Sequence, residues 1–112
     1  MKTIGYTKVD LTGGYLFEKQ ELNRTTTINA VYDRFYETGR IDAFRFAWKE
    51  GDDKQPHYFW DSDVAKWMEG AAYILAKHKD ADLEKKVDTI VSLIKKNQGE
   101  DGYFNIYFRY PV

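Results

Sequence analysis

Asp61 and Asp63 are the residues of this sequence most readily given chemical work: two carboxylates, two positions apart, where a periodic apolar segment begins. Paired carboxyl groups can divide proton donation from a basic or nucleophilic role, as cleavage of glycosidic bonds requires. At a helix start, however, side chains two apart point in different directions. They are well placed to accept backbone N–H groups and to meet the positive end of the helix dipole. Capping is the favoured reading. The two histidines, His57 and His78, fall in separate loops without the ligand spacing of zinc sites, so no metal site on them alone is expected. The chain has no cysteine, which excludes disulfides, thiolate metal sites and a Cys nucleophile within it. Glu100-Asp101-Gly102 matches neither a calcium loop nor a phosphate loop and reads as a turn.

Aromatic residues are the second feature. They make up 17% of the 112 residues: nine Tyr, seven Phe and three Trp. A chain this short buries a limited share of its surface, so these rings cannot all be central core. They line a groove, a sugar-binding wall or an interface, or else form a partly exposed core rim. The richest stretch is the long connection from Gly39 to Trp60, with Phe44, Phe46, Trp48, Tyr58, Phe59 and Trp60 around Gly51-Asp52-Asp53 and Pro56-His57. Ordered loops of this length are usually functional. Trp48, His57, Tyr58 and Trp60 are therefore candidates for a carbohydrate platform, whereas Trp67, between Val64 and Ala71 on one helical face, reads as core.

The elements that must position these groups are mostly helical. Residues Met1 to Glu18 alternate polar and apolar types around Gly13-Gly14, which predicts a short strand or extended arm and a turn. A first helix is predicted from about Gln20 to Thr38, with Ile28, Val31, Tyr32, Phe35 and Tyr36 on one face and Gly39 as a left-handed C-terminal cap. Thr25-Thr26-Thr27 argues for a later start, because threonine is a poor helix former. A second helix starts at Asp61-Ser62-Asp63 and carries Val64, Trp67, Met68, Ala71, Ala72 and Leu75 to about Lys77. After the turn His78-Lys79-Asp80, a third helix is capped by Asp80 or Asp82 and buries Leu83, Val87, Ile90, Val91 and Ile94. Two amphipathic helices joined by so short a turn form an antiparallel hairpin. Tyr103, Phe104, Ile106, Tyr107, Phe108 and Tyr110 then form an extended aromatic tail that needs a surface to cover it.

Charge and composition narrow the classes further. Seventeen Lys and Arg against eighteen Asp and Glu give a net charge of -1, with the signs interspersed. Nucleic-acid binding and attraction to a membrane surface are not expected. The start, Met1-Lys2-Thr3-Ile4-Gly5-Tyr6, lacks the apolar stretch of a signal peptide, so a cytoplasmic protein is the default expectation.

Several segments, taken in order, resemble the β-L-arabinofuranosidase family of glycoside hydrolases. They are Glu21-Leu22-Asn23-Arg24-Thr25, Thr38-Gly39-Arg40-Ile41-Asp42, Asp61-Ser62-Asp63-Val64 followed by Lys66-Trp67 and Glu69, Asp82-Leu83-Glu84, and Asp101-Gly102-Tyr103 with Asn105 and Tyr107. The resemblance spans roughly residues 15 to 108. Two departures stand inside it: the family often has Tyr where this chain has Ala65, and its pattern after Glu69 differs from the Gly70 found here. The end, Arg109-Tyr110-Pro111-Val112, also departs.

The resemblance implies a catalytic domain built as an (α/α)6 barrel, and an activity that removes terminal arabinofuranose with retention, through a zinc-bound Cys nucleophile and a Glu acid/base. None of those catalytic residues carries over to this chain. The expectation is therefore a mainly α fold, helical hairpins forming an incomplete (α/α)6-barrel segment, as one partial domain over residues 1–112 with an extended N-terminal arm. It is a truncated or split amino-terminal portion of such an enzyme, inactive alone and without a cofactor of its own, zinc belonging to the full-length family. The rival expectations are a self-associating interaction module and a carbohydrate-binding remnant. The partners to match are a second copy or a complementary chain, and an arabinose-containing carbohydrate. Within an assembled barrel, one of Asp61 and Asp63 could hold a sugar hydroxyl, and Tyr103, Asn105 and Tyr107 could face the substrate groove.

Overall fold

In the computed structural model, residues 1–108 are described. Helical backbone begins at Gly14 and runs without a break to Thr38: α1 (Gly14–Leu22), a π-helical turn (Asn23–Thr27) and α2 (Ile28–Thr38). The first helix thus starts six residues before the predicted Gln20. The threonine run does not delay it: the three threonines lie in the π turn, where the Thr25 hydroxyl donates to the Glu21 carbonyl at 2.7 Å. No strand forms among the described residues. The predicted strand or arm is an extended segment with one 3-10 turn at Tyr6–Lys8, and it has no neighbouring strand to pair with.

Gly39 ends α2 with φ +89°, and the Arg40 N–H returns to the Phe35 carbonyl at 2.9 Å. A side chain there would be strained in the left-handed region, and its Cβ would stand 2.9 Å from the Lys54 Cβ. The connection that follows is ordered and partly core: a 3-10 turn at Asp42–Arg45 buries Ala43 and Phe44, and Ile41 and Pro56 are buried beside it.

The hairpin forms as expected from α3 (Trp60–Lys77) and α4 (Ala81–Asn97). Asp80 caps α4, its Oδ1 accepting the Leu83 N–H at 3.0 Å. At the start of α3 neither Asp61 nor Asp63 is the cap residue, because the helix begins one residue earlier, behind Phe59, and no side chain caps it; both aspartates do lie in its first turn, at the positive end of the dipole, and Asp61 accepts the Ser62 N–H.

The core joins α2, the connection, the hairpin and the tail through Ile28, Ile41, Phe44, Val64, Trp67, Ala71, Ile74, Leu83, Ile90, Leu93 and Ile106. Trp67 is buried as predicted, and its indole N–H donates to the Ile28 carbonyl at 2.8 Å, tying α3 to α2. Three expected core residues face outward instead: Tyr36, Ala72 and Val91. On α4, Val91 and Leu93 flank the Leu83–Val87–Ile90–Ile94 stripe on opposite sides, each about 80° off at 3.6 residues per turn. The Phe44 segment covers the Leu93 side, where Asn97 Nδ2 donates to the Phe44 carbonyl at 2.8 Å. Val91 is left in solvent.

The tail turns at Gly99–Gly102, with the Gly99 N–H donating to the Tyr103 carbonyl at 2.8 Å. Ile106 is fully buried and Phe104 lies against Phe44 and Phe46, with ring centroids 5.4 and 5.6 Å apart. The chain's own core therefore covers part of the aromatic tail. Tyr110 and the departing residues Arg109 to Val112 lie outside the described residues.

By contrast, α1 buries none of its residues. The radius of gyration is 16.7 Å, against about 13 Å for a compact domain of this length, and the long dimension is 50 Å. Among the described residues, no helix is long and apolar enough to cross a membrane.

Candidate functional site

The two carboxylates singled out from the sequence have separate fates. Asp63 is paired: Arg40, the residue just past the α2 cap, places Nε 3.0 Å from its Oδ2. The same guanidinium donates to the Thr38 hydroxyl at 2.8 Å and lies 5.4 Å from the Phe35 ring and 5.2 Å from that of Trp60. Trp60 is thus the first residue of α3 and half-buried on a cation, rather than standing in a free loop. Asp61 Oδ1 accepts the Ser62 N–H at 2.8 Å, and no cation among the described residues pairs with it. It borders a groove of about 330 Å³ lined by Phe44, Ser62, Ala65, Met68, Ile94 and Phe104. The pair therefore has one neutralised member and one open to a ligand.

The folding of the tail brings together rings that are about fifty residues apart in sequence. Tyr58 meets Tyr107 edge to face at 5.7 Å, stacks on His57 at 4.3 Å and touches Phe59 at 4.2 Å. Tyr107 in turn meets Phe108 at 5.0 Å. Each wall is set by local bonds. The His57 Nδ1 accepts the Phe59 N–H at 3.2 Å, after the buried Pro56. The Asn105 Oδ1 accepts the N–H groups of Tyr107 and Phe108 at 2.9 and 2.8 Å, while Ile106 between them is anchored in the core.

Tyr58, Phe59 and Phe108 remain about half or more exposed, which gives a shelf of ring faces and edges beside solvent. Of the sequence candidates, His57, Tyr58 and Tyr107 converge on this shelf, and Asn105 holds it in shape. Trp48 belongs to another loop, its indole donating to the Asp52 carbonyl at 3.1 Å. Tyr103 is exposed on the tail turn, with its N–H on Asp101 Oδ1 at 3.0 Å. Phe59 and Phe108 were legible as aromatic but not as site residues, because nothing local says that the two segments meet. Arg40 was legible as part of the Thr38-Gly39-Arg40-Ile41-Asp42 segment but not as the partner of Asp63.

Electrostatic coupling is sharpest at the arm. The Lys77 ammonium, with a side chain only 10% exposed, bonds Asp10 at 2.7 Å and also donates to the Val9 carbonyl. It lies 4.9 Å from the Tyr6 ring, which itself packs on Tyr73 at 5.1 Å. The Lys77 hydrogen bond and charge hold the Asp10 carboxyl below its ordinary value. Arg24, in the π turn, does the same for Glu21 near the end of α1. Burial pushes the Tyr32 phenol up.

A thiolate zinc centre does not fit the residues present: the sequence has no Cys, and among the described residues no three His, Asp or Glu side chains converge.

Residues 8–111 match the family described as beta-L-arabinofuranosidase, GH127 catalytic domain, and the chain belongs to that family. Over 47 residues, 42% of this chain, it is 51% identical to the non-reducing end beta-L-arabinofuranosidase of Bifidobacterium longum subsp. longum. The matched stretch spans 7% of that protein's length. No solved structure matches.

Proposed function

We propose that this chain is the amino-terminal helical segment of an arabinofuranosidase-type catalytic domain, one partial domain that supplies scaffold and rim to an (α/α)6 barrel and not its catalytic groups. The observation that carries the reading is the family match over residues 8–111 in a chain without Cys. By its resemblance, the family's nucleophile is a zinc-bound Cys. The isolated chain is then inactive. Incubation with 4-nitrophenyl β-L-arabinofuranoside, with and without zinc, should release no arabinose; turnover at enzymatic rates would overturn the proposal.

A second reading is favoured by the meeting of Tyr58 with Tyr107. The shelf they form with His57 binds an arabinose-containing carbohydrate through its apolar C–H face, even without catalysis. Intrinsic fluorescence titrated with arabinose and arabino-oligosaccharides should change, and Tyr58→Ala should abolish the change. No response up to high millimolar sugar would refute binding. Self-association has its own support in the exposed Tyr15, Leu16 and Leu22 of α1. Solution mass by light scattering over a concentration series decides it: a monomer throughout removes this reading.

A further inference from the structure

The two polar side chains of the aromatic shelf are held in the same way. His57 Nδ1 accepts the N–H of Phe59, two residues on, at 3.2 Å. Asn105 Oδ1 accepts the N–H of Tyr107, also two residues on, at 2.9 Å, and that of Phe108 at 2.8 Å. In both, a side-chain acceptor closes a turn on the backbone just ahead of it.

These bonds fix which atoms are left over. A backbone N–H donates only to an unprotonated ring nitrogen, so neutral His57 carries its proton on Nε2. Two N–H groups converging on one atom of the Asn105 amide mark that atom as the oxygen, which makes the other the Nδ2 with its two protons. Neither His57 Nε2 nor Asn105 Nδ2 has a protein partner among the described residues. His57 is exposed and Asn105 half-buried. The acceptors of both residues are occupied by the backbone, and what remains is donors alone.

The donors border the rings. His57 stacks on Tyr58 at 4.3 Å with 24° between the planes, and Asn105 holds the segment of Tyr107, whose ring meets Tyr58 at 5.7 Å. The Tyr58 and Tyr107 hydroxyls rotate to donate or accept, so they impose no direction. Ring faces bordered by fixed donors suit a ligand with an apolar face and lone pairs around its edge. A furanose has both: C–H groups on one face, and ring, glycosidic and hydroxyl oxygens at the rim.

We propose that His57 Nε2–H and Asn105 Nδ2–H2 are the specificity-determining donors of the shelf, each donating to an oxygen of a pentose-containing saccharide whose C–H face lies on Tyr58. The inference rests on the reading of the shelf as a carbohydrate surface and adds the direction of its hydrogen bonds.

The test is NMR on the full chain, with arabinose and arabino-oligosaccharides as probes. Without sugar, in mildly alkaline buffer, the His57 ring should show an unprotonated Nδ1 and a protonated Nε2. On titration, the Asn105 amide protons and the His57 ring nitrogens should shift together. Asn105→Asp keeps the oxygen that the Tyr107 and Phe108 N–H groups need and turns the donor into a second acceptor. Sugar affinity should then fall about tenfold with the turn intact. His57→Asn keeps an acceptor for the Phe59 N–H but shortens the reach of the donor, and should also weaken sugar, by about fivefold. A proton on His57 Nδ1, or unchanged affinity in Asn105→Asp, overturns the inference and leaves the shelf standing. If Asn105→Asp unfolds the tail, His57→Asn decides, and unchanged affinity there overturns the inference. No response to sugar in the unsubstituted chain overturns the shelf reading and the inference with it.

Discussion

Arg40 and Asp63, 23 residues apart, are joined by a 3.0 Å Nε–Oδ2 bond that fastens the end of α2 to the first turn of α3. The guanidinium lies over the Phe35 and Trp60 rings and also donates to the Thr38 hydroxyl, so one fork combines an ion pair, a hydrogen bond and two cation–π contacts. A lysine cannot reproduce that combination.

Replacing Arg40 with Ala should therefore destabilise the chain by about 1–2 kcal/mol, since the pair is about one-third exposed and partly screened. Arg40→Lys should recover little of the loss. Urea unfolding of the three proteins checks this; full recovery by Lys would mean that charge alone matters.

Trp67→Phe keeps an aromatic ring in the core and removes the donor to the Ile28 carbonyl. The expected cost is about 2 kcal/mol from the lost buried hydrogen bond and the smaller ring. Denaturant midpoints at unchanged slope would establish it, and a neutral substitution would show that the bond contributes nothing.

Asp80→Ala removes the N-terminal cap of α4, whose acceptor receives the Leu83 N–H. A loss of about 1 kcal/mol is expected. Asp82→Ala should cost less, because Asp82 does not cap and its pairing with Lys86 is an exposed 3.8 Å contact. The ratio of the two effects, read by thermal unfolding, is the measurement.

The arm should respond to acid. Lys77 holds the Asp10 carboxyl below its ordinary value of 3.8. The docking it supports is fully present above that value and lost as pH falls through the lower folded value. Chemical shifts of Tyr6 and Tyr73, followed from pH 6 to pH 2, should report the arm releasing in that acid range. In Asp10→Asn the acid step should vanish; a step that persists would assign it to another group.

Much of the fold is legible from local pattern. The spacing of Val64, Trp67 and Ala71 on α3, and of Leu83, Ile90 and Ile94 on α4, predicts the helices, and the three-residue turn between them predicts their reversal. The aromatic candidates were harder to place. Trp48, Tyr58 and Trp60 are equivalent by composition, yet one bonds within its own loop, one meets the tail and one lies on Arg40.

By itself, the sequence determined the hairpin, an aspartate cap on α4 at Asp80 or Asp82, the left-handed Gly39 and the absence of a thiolate, because each depends on residue type or on neighbours within a turn or two. Tertiary structure alone decided that Leu93 and not Val91 is covered, that Asp63 is neutralised while Asp61 is not, and that Tyr58 meets Tyr107. Those outcomes depend on groups 23 to 49 residues apart meeting in space. Helical periodicity defines a stripe and its two flanks, but the choice of flank belongs to whatever segment packs against it.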